Sequence, residues 1–181
     1  GHGVIAIPTG TSWAFAAEPS SRKAIQRIER LKPDRPKDQP YALLCSSMSM
    51  ASQMAVVDGQ AYRLLRRMWP GPYTVLLRSG PDLPRLLKTK RSVVGVRVPT
   101  DPLAIAIIEH FGQPVVVSTV PRDDEGRHRT LGYEVMEAFG HGLDLVVDLG
   151  DPVEGTDTTV LDLSEGVVEV IREGAGPVPG A

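Results

Sequence analysis

Short apolar runs alternate with amphipathic stretches along the whole chain of 181 residues. The runs are rich in β-branched residues and end at turn residues, a pattern typical of buried strands. It predicts strands at residues 4–7, 41–45, 73–77, 93–98, 115–117, 145–147, 159–163 and 167–171. The turn Ser164-Glu165-Gly166 joins the last two strands, so we expect them to form a hairpin.

Apolar residues spaced three or four positions apart predict helices between these strands. Ser20 and Ser21 can cap the first helix, and Pro33 stops it. Further helices are predicted at residues 49–56, 60–68, 83–88, 103–111 and 132–139. Gly112 is a suitable stop for the helix at 103–111.

Strands and helices interleave without internal repeats or a long linker, which predicts a single compact α/β domain over residues 1–173. We expect a twisted sheet of mixed parallel and antiparallel strands, flanked by helices. Residues 174–181 are rich in Gly and Pro and are predicted to form a loose tail.

The net charge of −2 conceals a strong asymmetry along the chain. Residues 1–97 carry 16 Lys and Arg against 6 Asp and Glu, whereas residues 98–181 carry 4 against 16. A concave cleft lined by the basic half would attract phosphate groups. The alternative is that both halves only solvate their own surfaces.

Several common classes of protein are excluded by what the sequence lacks. No apolar run approaches the roughly 20 residues of a membrane span, and no signal peptide is visible. Cys45 is the only cysteine, which predicts a buried thiol and a cytoplasmic location. There is no phosphate loop of the Walker type, dinucleotide motif, zinc-ligand spacing or hydrolase nucleophile motif. Phosphate binding must therefore use loops, Arg and Lys, and we expect no tightly bound cofactor.

Hydroxyl and guanidinium groups cluster where predicted strands begin or end. Fork-like Arg groups and hydroxyls at neighbouring strand ends are suited to binding an oxyanion. The candidates are Thr9, Thr11, Arg97, Ser118, Thr119, Thr159 and Arg172. The alternative for each is an ordinary turn threonine or a surface salt bridge.

The chain resembles the YrdC/Sua5 family, and especially its YciO-like branch, in six short motifs that occur in the family's order. No single motif is specific, but the match covers nearly the whole chain. The motifs are Pro8-Thr9-x-Thr11, the loop from Lys32 through Arg35-Pro36 to Pro40, Trp69-Pro70-Gly71-Pro72-Tyr73-Thr74, Arg97-Val98-Pro99, Thr159-Val160-Leu161-Asp162 and Arg172-Glu173-Gly174.

This resemblance implies a YrdC-like domain with a basic concave cleft. It also implies synthesis of threonylcarbamoyl-AMP from threonine, bicarbonate and ATP with Mg²⁺, releasing pyrophosphate, for the modification of tRNA adenosine-37. Under it, Lys32, Arg35 and Arg172 bind phosphates and Arg97 holds the amino-acid carboxylate or shapes the crevice. The nucleotide or carbamate is oriented by Thr9, Thr11, Ser118, Thr119 and Thr159.

The departures from the family pattern fall on its chemistry. Gly10 replaces an Asp, Leu44 stands where a His is expected, and Pro121 replaces an Asn. Each missing partner of a bound amino acid costs roughly 1–3 kcal/mol. The segment Lys32-Pro33-Asp34-Arg35 carries one inserted residue, which puts Pro33 on the lysine position. The resemblance also implies a helix before the first strand, which these residues do not include.

Three functions stay open on the sequence alone. The first is an enzyme that makes an acyl-adenylate, and the second is a related enzyme that uses another small acid or carbamoyl donor. The third is a protein that binds tRNA or double-stranded RNA without making an adenylate. Its contacts would be Arg22, Lys23, Arg27, Arg30, Arg63, Arg66, Arg67, Lys88, Lys90 and Arg91.

Overall fold

Nine strands and five α-helices make up residues 1–180, the part of the chain that the computed structural model describes. The strands are β1 Val4–Pro8, β2 Trp13–Ala17, β3 Ala42–Leu44, β4 Tyr73–Arg78, β5 Val93–Arg97, β6 Val115–Thr119, β7 Leu145–Val146, β8 Thr159–Asp162 and β9 Glu169–Arg172. The helices are α1 Arg22–Leu31, α2 Met48–Met54, α3 Gly59–Met68, α4 Pro102–Phe111 and α5 Gly132–Phe139. The predicted helix at 83–88 is a short 3-10 turn, Arg85–Leu87.

All nine strands belong to one mixed sheet with the order β7-β1-β2-β6-β3-β5-β4-β8-β9. The pairs β1–β7, β3–β5 and β4–β8 are parallel, and the other five pairs are antiparallel. β8 and β9 form the predicted hairpin. The expected α/β domain with a mixed sheet and flanking helices is therefore confirmed.

β2 was not predicted, although it lies inside the sheet between β1 and β6. Its sequence, Trp-Ala-Phe-Ala-Ala, contains three alanines, which are depleted in strands. All five residues are buried. Trp13 and Phe15 pack with Ile28 of α1, whereas Ala16 packs with Ile108 of α4 on the other face. Burial on both faces therefore outweighs the weak local preference.

The two faces of the sheet are covered unequally. On one face, Leu43, Val75 and Val96 pack with Leu65 of α3 in a core that also includes Ile25 of α1. On the other face, Leu44 and Val115 pack against Ala104 and Ile108 of α4. Side chains alternate between the faces along each strand. The next residues of β3 and β6 on this face, Ala42 and Val117, line an open cleft.

The helix ends include the predicted signals Ser21 at the start of α1 and Gly112 at the end of α4. Ser21 Oγ accepts a hydrogen bond from the Ala24 N–H at 3.1 Å. Asp101 caps α4 immediately before Pro102. Gly112 ends α4 with a φ of 72°, a left-handed conformation that costs glycine little.

The segment after β9 begins with ordered contacts. Tyr73 Oη donates to the Pro177 carbonyl at 2.6 Å. Thr159 Oγ1 donates to the Gly176 carbonyl at 2.5 Å and accepts from the Gly174 N–H at 3.0 Å. These bonds fasten residues 174–177 to β4 and β8, where composition alone predicted a loose tail. Ala181 lies outside the described residues.

Candidate functional site

A cleft of about 710 Å³ occupies the part of the second sheet face that α4 leaves uncovered. Its floor includes Val117, Ala42, Gly95 and Leu76, which lie opposite one another on β6, β3, β5 and β4. The loop of residues 32–40 borders one side, and β8 and β9 border the other. The small residues Ala42 and Gly95 leave room above the centre of the sheet.

The lining of the cleft carries five basic and three acidic residues. Two of the carboxylates are in ion pairs, Asp157 with Arg122 at 2.6 Å and Asp162 with Arg91 at 3.1 Å. The excess of positive charge favours an anionic ligand. The basic residues are Lys32, Arg35, Arg91, Arg97 and Arg172, and the acidic residues are Asp38, Asp157 and Asp162.

Arg97 is held rigidly at the end of β5 and is only 8% exposed. Its terminal nitrogens donate to Thr9 Oγ1 at 3.2 Å and to the Thr9 carbonyl at 2.7 Å. Its Nε has no hydrogen-bond partner within residues 1–180, so one buried donor is left unsatisfied. Burial lowers the pKa of Arg97 to about 10, so the guanidinium is charged at neutral pH. Arg97 is therefore a buried, hydrogen-bonded residue and does not form a surface salt bridge.

The turn between β1 and β2 orients the hydroxyls beside Arg97. Thr9 Oγ1 donates to the Ser12 carbonyl at 2.7 Å and lies 3.3 Å from Thr11 Oγ1. Gly10 has a φ of 87°, which L-residues rarely adopt. Glycine at this position therefore sets the turn that brings Thr9 and Thr11 into the cleft.

Lys32 reaches the cleft from the end of α1. Its Nζ donates to Ser118 Oγ at the end of β6, at 2.7 Å. Burial, together with the nearby charge of Arg35, lowers the pKa of Lys32 to about 8. The inserted residue after Lys32 thus leaves its amine inside the cleft, beside a hydroxyl that can share a bound phosphate.

Arg35 lies in the wall of the cleft, where its guanidinium also closes its own loop. Its NH2 nitrogen donates to the carbonyls of Gln39 at 3.0 Å and Pro40 at 3.2 Å. The guanidinium stacks over the Tyr41 ring at 4.2 Å. These contacts hold a cation in a fixed position on the side of the cleft where Lys32 lies.

Eight of the nine predicted site residues line the cleft, and Thr159 does not. Thr159 is fully buried and bonded to the C-terminal segment. Its neighbour Thr158 lines the cleft instead, because successive residues of a strand point to opposite faces. Thr158 Oγ1 lies 2.9 Å from Thr74 Oγ1 and accepts from Arg172 NH2 at 3.1 Å.

The nine predicted site residues did not include several polar residues of the cleft, among them Thr74, Arg91, Thr158 and Asp162. Thr74 and Asp162 are the last residues of two of the family motifs, which could have identified them as candidates. Arg91 had been assigned only to a possible RNA surface. No local signal in the sequence pairs Arg91 with Asp162, because 71 residues separate them.

Two of the departures from the family pattern have structural roles away from the open cleft. Leu44 packs with α4 in the core. The Pro121 carbonyl accepts a hydrogen bond from Arg129 at 2.7 Å. The loop that follows Pro121 is tied to the cleft by Asp157, whose two carboxylate oxygens contact Arg122 and His128.

Other candidate chemistry is sparse in residues 1–180. Within this range no group of three or more His, Cys, Asp and Glu side chains could hold a metal ion. Cys45 is buried, and burial raises the pKa of its thiol to about 12. In the same range, every helix is too short or too polar to cross a membrane.

The fold and the cleft together define an open-sheet α/β protein with a concave cleft in which basic residues outnumber acidic ones. The chain belongs to the Sua5/YciO/YrdC family, whose model, described as "Telomere recombination", matches residues 1–174.

Similar proteins include both branches that the motifs suggested. The chain is 32% identical to the uncharacterized protein YciO of Escherichia coli, over 97% of this chain and 85% of YciO. The crystal structure of E. coli YciO superposes with a TM-score of 0.89, covering 98% of this chain and 85% of that one. Pyrococcus abyssi Sua5 complexed with L-threonine gives 0.84 at 27% identity, covering 96% of this chain and 51% of that one. The threonylcarbamoyl-AMP synthase of P. abyssi is 28% identical over 97% of this chain and 51% of the synthase.

Proposed function

We propose that this protein binds MgATP in the cleft and forms the adenylate of an amino acid carbamate, with threonine as the amino acid. The product would be threonylcarbamoyl-AMP for the modification of tRNA adenosine-37 in the cytoplasm. The observation that carries the proposal is the hydrogen bond from Lys32 Nζ to Ser118 Oγ beside the Arg97–Thr9 pair, all within one cleft. Relatives named threonylcarbamoyl-AMP synthase support it.

The reaction needs positioning and charge neutralisation from the protein rather than a protein nucleophile. Bicarbonate and the amine of the amino acid first give a carbamate and water. A carbamate oxygen then attacks the α-phosphorus of ATP, and the bond from that phosphorus to the bridging oxygen breaks, so that pyrophosphate leaves. Lys32 and Arg35 would neutralise the charge of the phosphates, and Ser118 would orient the phosphate that Lys32 contacts.

Arg97 is suited to the carboxylate of the amino acid. Its guanidinium is buried and fixed by Thr9, and its Nε is an unpaired donor. A carboxylate is a strong acceptor for such a donor. Thr11 and Ser12 line the same end of the cleft and would contribute further hydroxyls.

The proposal is tested by incubating the protein with ATP, Mg²⁺, bicarbonate and each amino acid in turn, and measuring pyrophosphate release. We expect release that depends on both bicarbonate and threonine. Adenylate formation without a preference for threonine would indicate a related enzyme for another acid. Absence of pyrophosphate release with every amino acid would overturn the proposal.

A role in RNA binding is the second candidate. Lys88, Lys90 and Arg91 are exposed, and Arg91 lies in the wall of the cleft, so a cationic rim continues from the site. Arg27, in contrast, is in an ion pair with Asp144 at 2.7 Å. RNA binding that weakens steeply with salt, without any ATP turnover, would favour this second function.

A further inference from the structure

One carboxylate in the cleft has an acceptor position left open. Asp162 ends β8 and is only 5% exposed. Its Oδ1 accepts hydrogen bonds from Ser164 N at 2.8 Å and from Ser164 Oγ at 2.6 Å. Its Oδ2 accepts only one hydrogen bond within residues 1–180, from Arg91 NH2 at 3.1 Å. An ionised carboxylate has about four acceptor positions, so one remains at Oδ2.

The Asp162 carboxylate is ionised at neutral pH. Burial raises its pKa, but the hydrogen bonds from Ser164 and the neighbouring Arg91 outweigh burial and hold the pKa below its ordinary value. The side chain is therefore an acceptor without a proton to donate. Such a group repels a phosphate and attracts a hydroxyl or an amine of a ligand.

Asp162 lies at the opposite end of the cleft floor from the Lys32–Ser118 pair. Strand pairing places Val117, Ala42, Gly95, Leu76 and Asp162 in one row across β6, β3, β5, β4 and β8. At the usual spacing between strands, this row runs roughly 19 Å along the sheet. Lys32 and Arg35 thus lie at one end of the row. At the other end Arg91 is paired with Asp162 and Arg172 donates to Thr158, so the open acceptor position of Asp162 suits the nucleoside end of a nucleoside triphosphate whose phosphates lie near Lys32.

We propose that Asp162 accepts a hydrogen bond from the nucleoside half of ATP, and so fixes the direction in which the nucleotide lies across the sheet. This inference rests on the proposed function and adds a residue that selects the nucleoside. The donor is either a ribose hydroxyl or the exocyclic amine of adenine. Arg91 already neutralises Oδ2, which makes a metal ion a poor occupant of the same position.

The other two acidic residues of the cleft are more exposed to solvent. Asp157 is bonded to His128 at 3.1 Å and to Arg122 at 2.6 Å, and its side chain is 28% exposed, against 6% for Asp162. Asp38 is exposed on the loop of residues 32–40. Asp162 is therefore the most buried carboxylate of the cleft.

The wild-type protein provides the first test, through titration calorimetry with ATP, 2′-deoxyATP, 3′-deoxyATP and inosine triphosphate. We expect roughly 10- to 100-fold weaker binding for the one analogue that lacks the recognised donor, the range for a hydrogen bond to a charged group. The deoxy analogues identify a ribose hydroxyl, and inosine triphosphate identifies the amine. ATP binding with equal affinity for all three analogues overturns this inference alone, whereas absence of ATP binding overturns the proposed function with it.

Two variants sharpen the assignment. Asp162→Asn is expected to abolish the preference for ATP over the discriminating analogue. Ser164→Ala is the matched control, because it removes a hydrogen bond from Oδ1 and leaves Oδ2 unchanged, so the preference should persist. The preference should also persist as Mg²⁺ is lowered over the range in which ATP still binds, and its loss while ATP still binds would show that the carboxylate serves a metal ion and would overturn the inference. Should Asp162→Asn fail to fold, the comparison of analogues on the wild-type protein decides.

Discussion

The Lys32 amine donates a hydrogen bond to Ser118 Oγ at 2.7 Å and joins the end of α1 to the end of β6. The two residues are 86 positions apart in the chain. The pair brings a cation from the basic half of the sequence to a hydroxyl from the acidic half. The cleft is thus assembled by the fold rather than by one local motif, and the first predictions concern this pair.

Replacing Lys32 by Met should weaken ATP binding by roughly 10-fold or more, because a charge-assisted hydrogen bond contributes about 1.5–3 kcal/mol. Titration calorimetry measures the effect. Lys37→Met is the matched control, since Lys37 is exposed on the same loop and does not line the cleft. Equal affinities of the two variants would remove Lys32 from the phosphate site.

The affinity for ATP should depend on pH through Lys32. Burial lowers the pKa of its amine to about 8, and a bound phosphate favours the protonated form. Affinity should therefore be complete below pH 8 and should decline as the pH rises through that value. Titrations between pH 6.5 and 9.5, a range chosen to span about 1.5 units around this pKa, measure the decline. Lys32→Met should bind weakly with a flat profile, and a flat profile for the wild type would contradict the assignment.

The same pKa predicts the opposite trend for stability without ligand. The pKa of Lys32 is about 8 in the folded chain, below its ordinary 10.5, so the unfolded chain binds more protons between these values. The free energy of unfolding should therefore gain a contribution from Lys32 as the pH rises from about 8 towards 10.5. Urea unfolding of the wild type and of Lys32→Met across this pH range separates the contribution of Lys32 from that of other titrating groups. Parallel pH profiles for the two proteins would show that the amine is not desolvated.

Thr158 and Thr159 should respond differently to the same substitution. Thr159→Val leaves the Gly174 N–H and the Gly176 carbonyl without their partner, which costs about 1–3 kcal/mol of unfolding free energy. Thr158→Val instead removes a hydroxyl that Arg172 and Thr74 contact in the cleft, so it should weaken nucleotide binding. Urea unfolding and titration calorimetry of both variants measure the contrast. The reverse pattern would restore Thr159 as the ligand residue.

These two threonines show what sequence patterns can and cannot predict here. The order of strands and helices follows from apolar spacing and capping residues such as Ser21 and Asp101, which act locally. Which of two adjacent threonines faces the cleft depends on the register of β8 against β4, which only the folded sheet sets. β2 was missed for a related reason, because its alanine-rich sequence is buried by α1 on one face and on the other by α4, which is distant in sequence. Eight of the nine predicted residues line the cleft, whereas the Arg91–Asp162 pair emerged only from the fold.

Gly10 should be needed for binding as well as for folding. Its φ of 87° lies in the left-handed region, so Gly10→Ala should cost about 1–2 kcal/mol of stability. The added Cβ would lie 3.5 Å from Asp101 Cβ, an ordinary contact, so the cost comes from the backbone. Relief of that strain would shift Thr9 and with it Arg97, so the affinity for the amino acid should also fall.

Gly112→Ala is the control, because its φ of 72° imposes a similar strain in open space at the end of α4. Both variants should lose stability, and only Gly10→Ala should lose affinity. Equal affinities would show that the turn between β1 and β2 does not position the site.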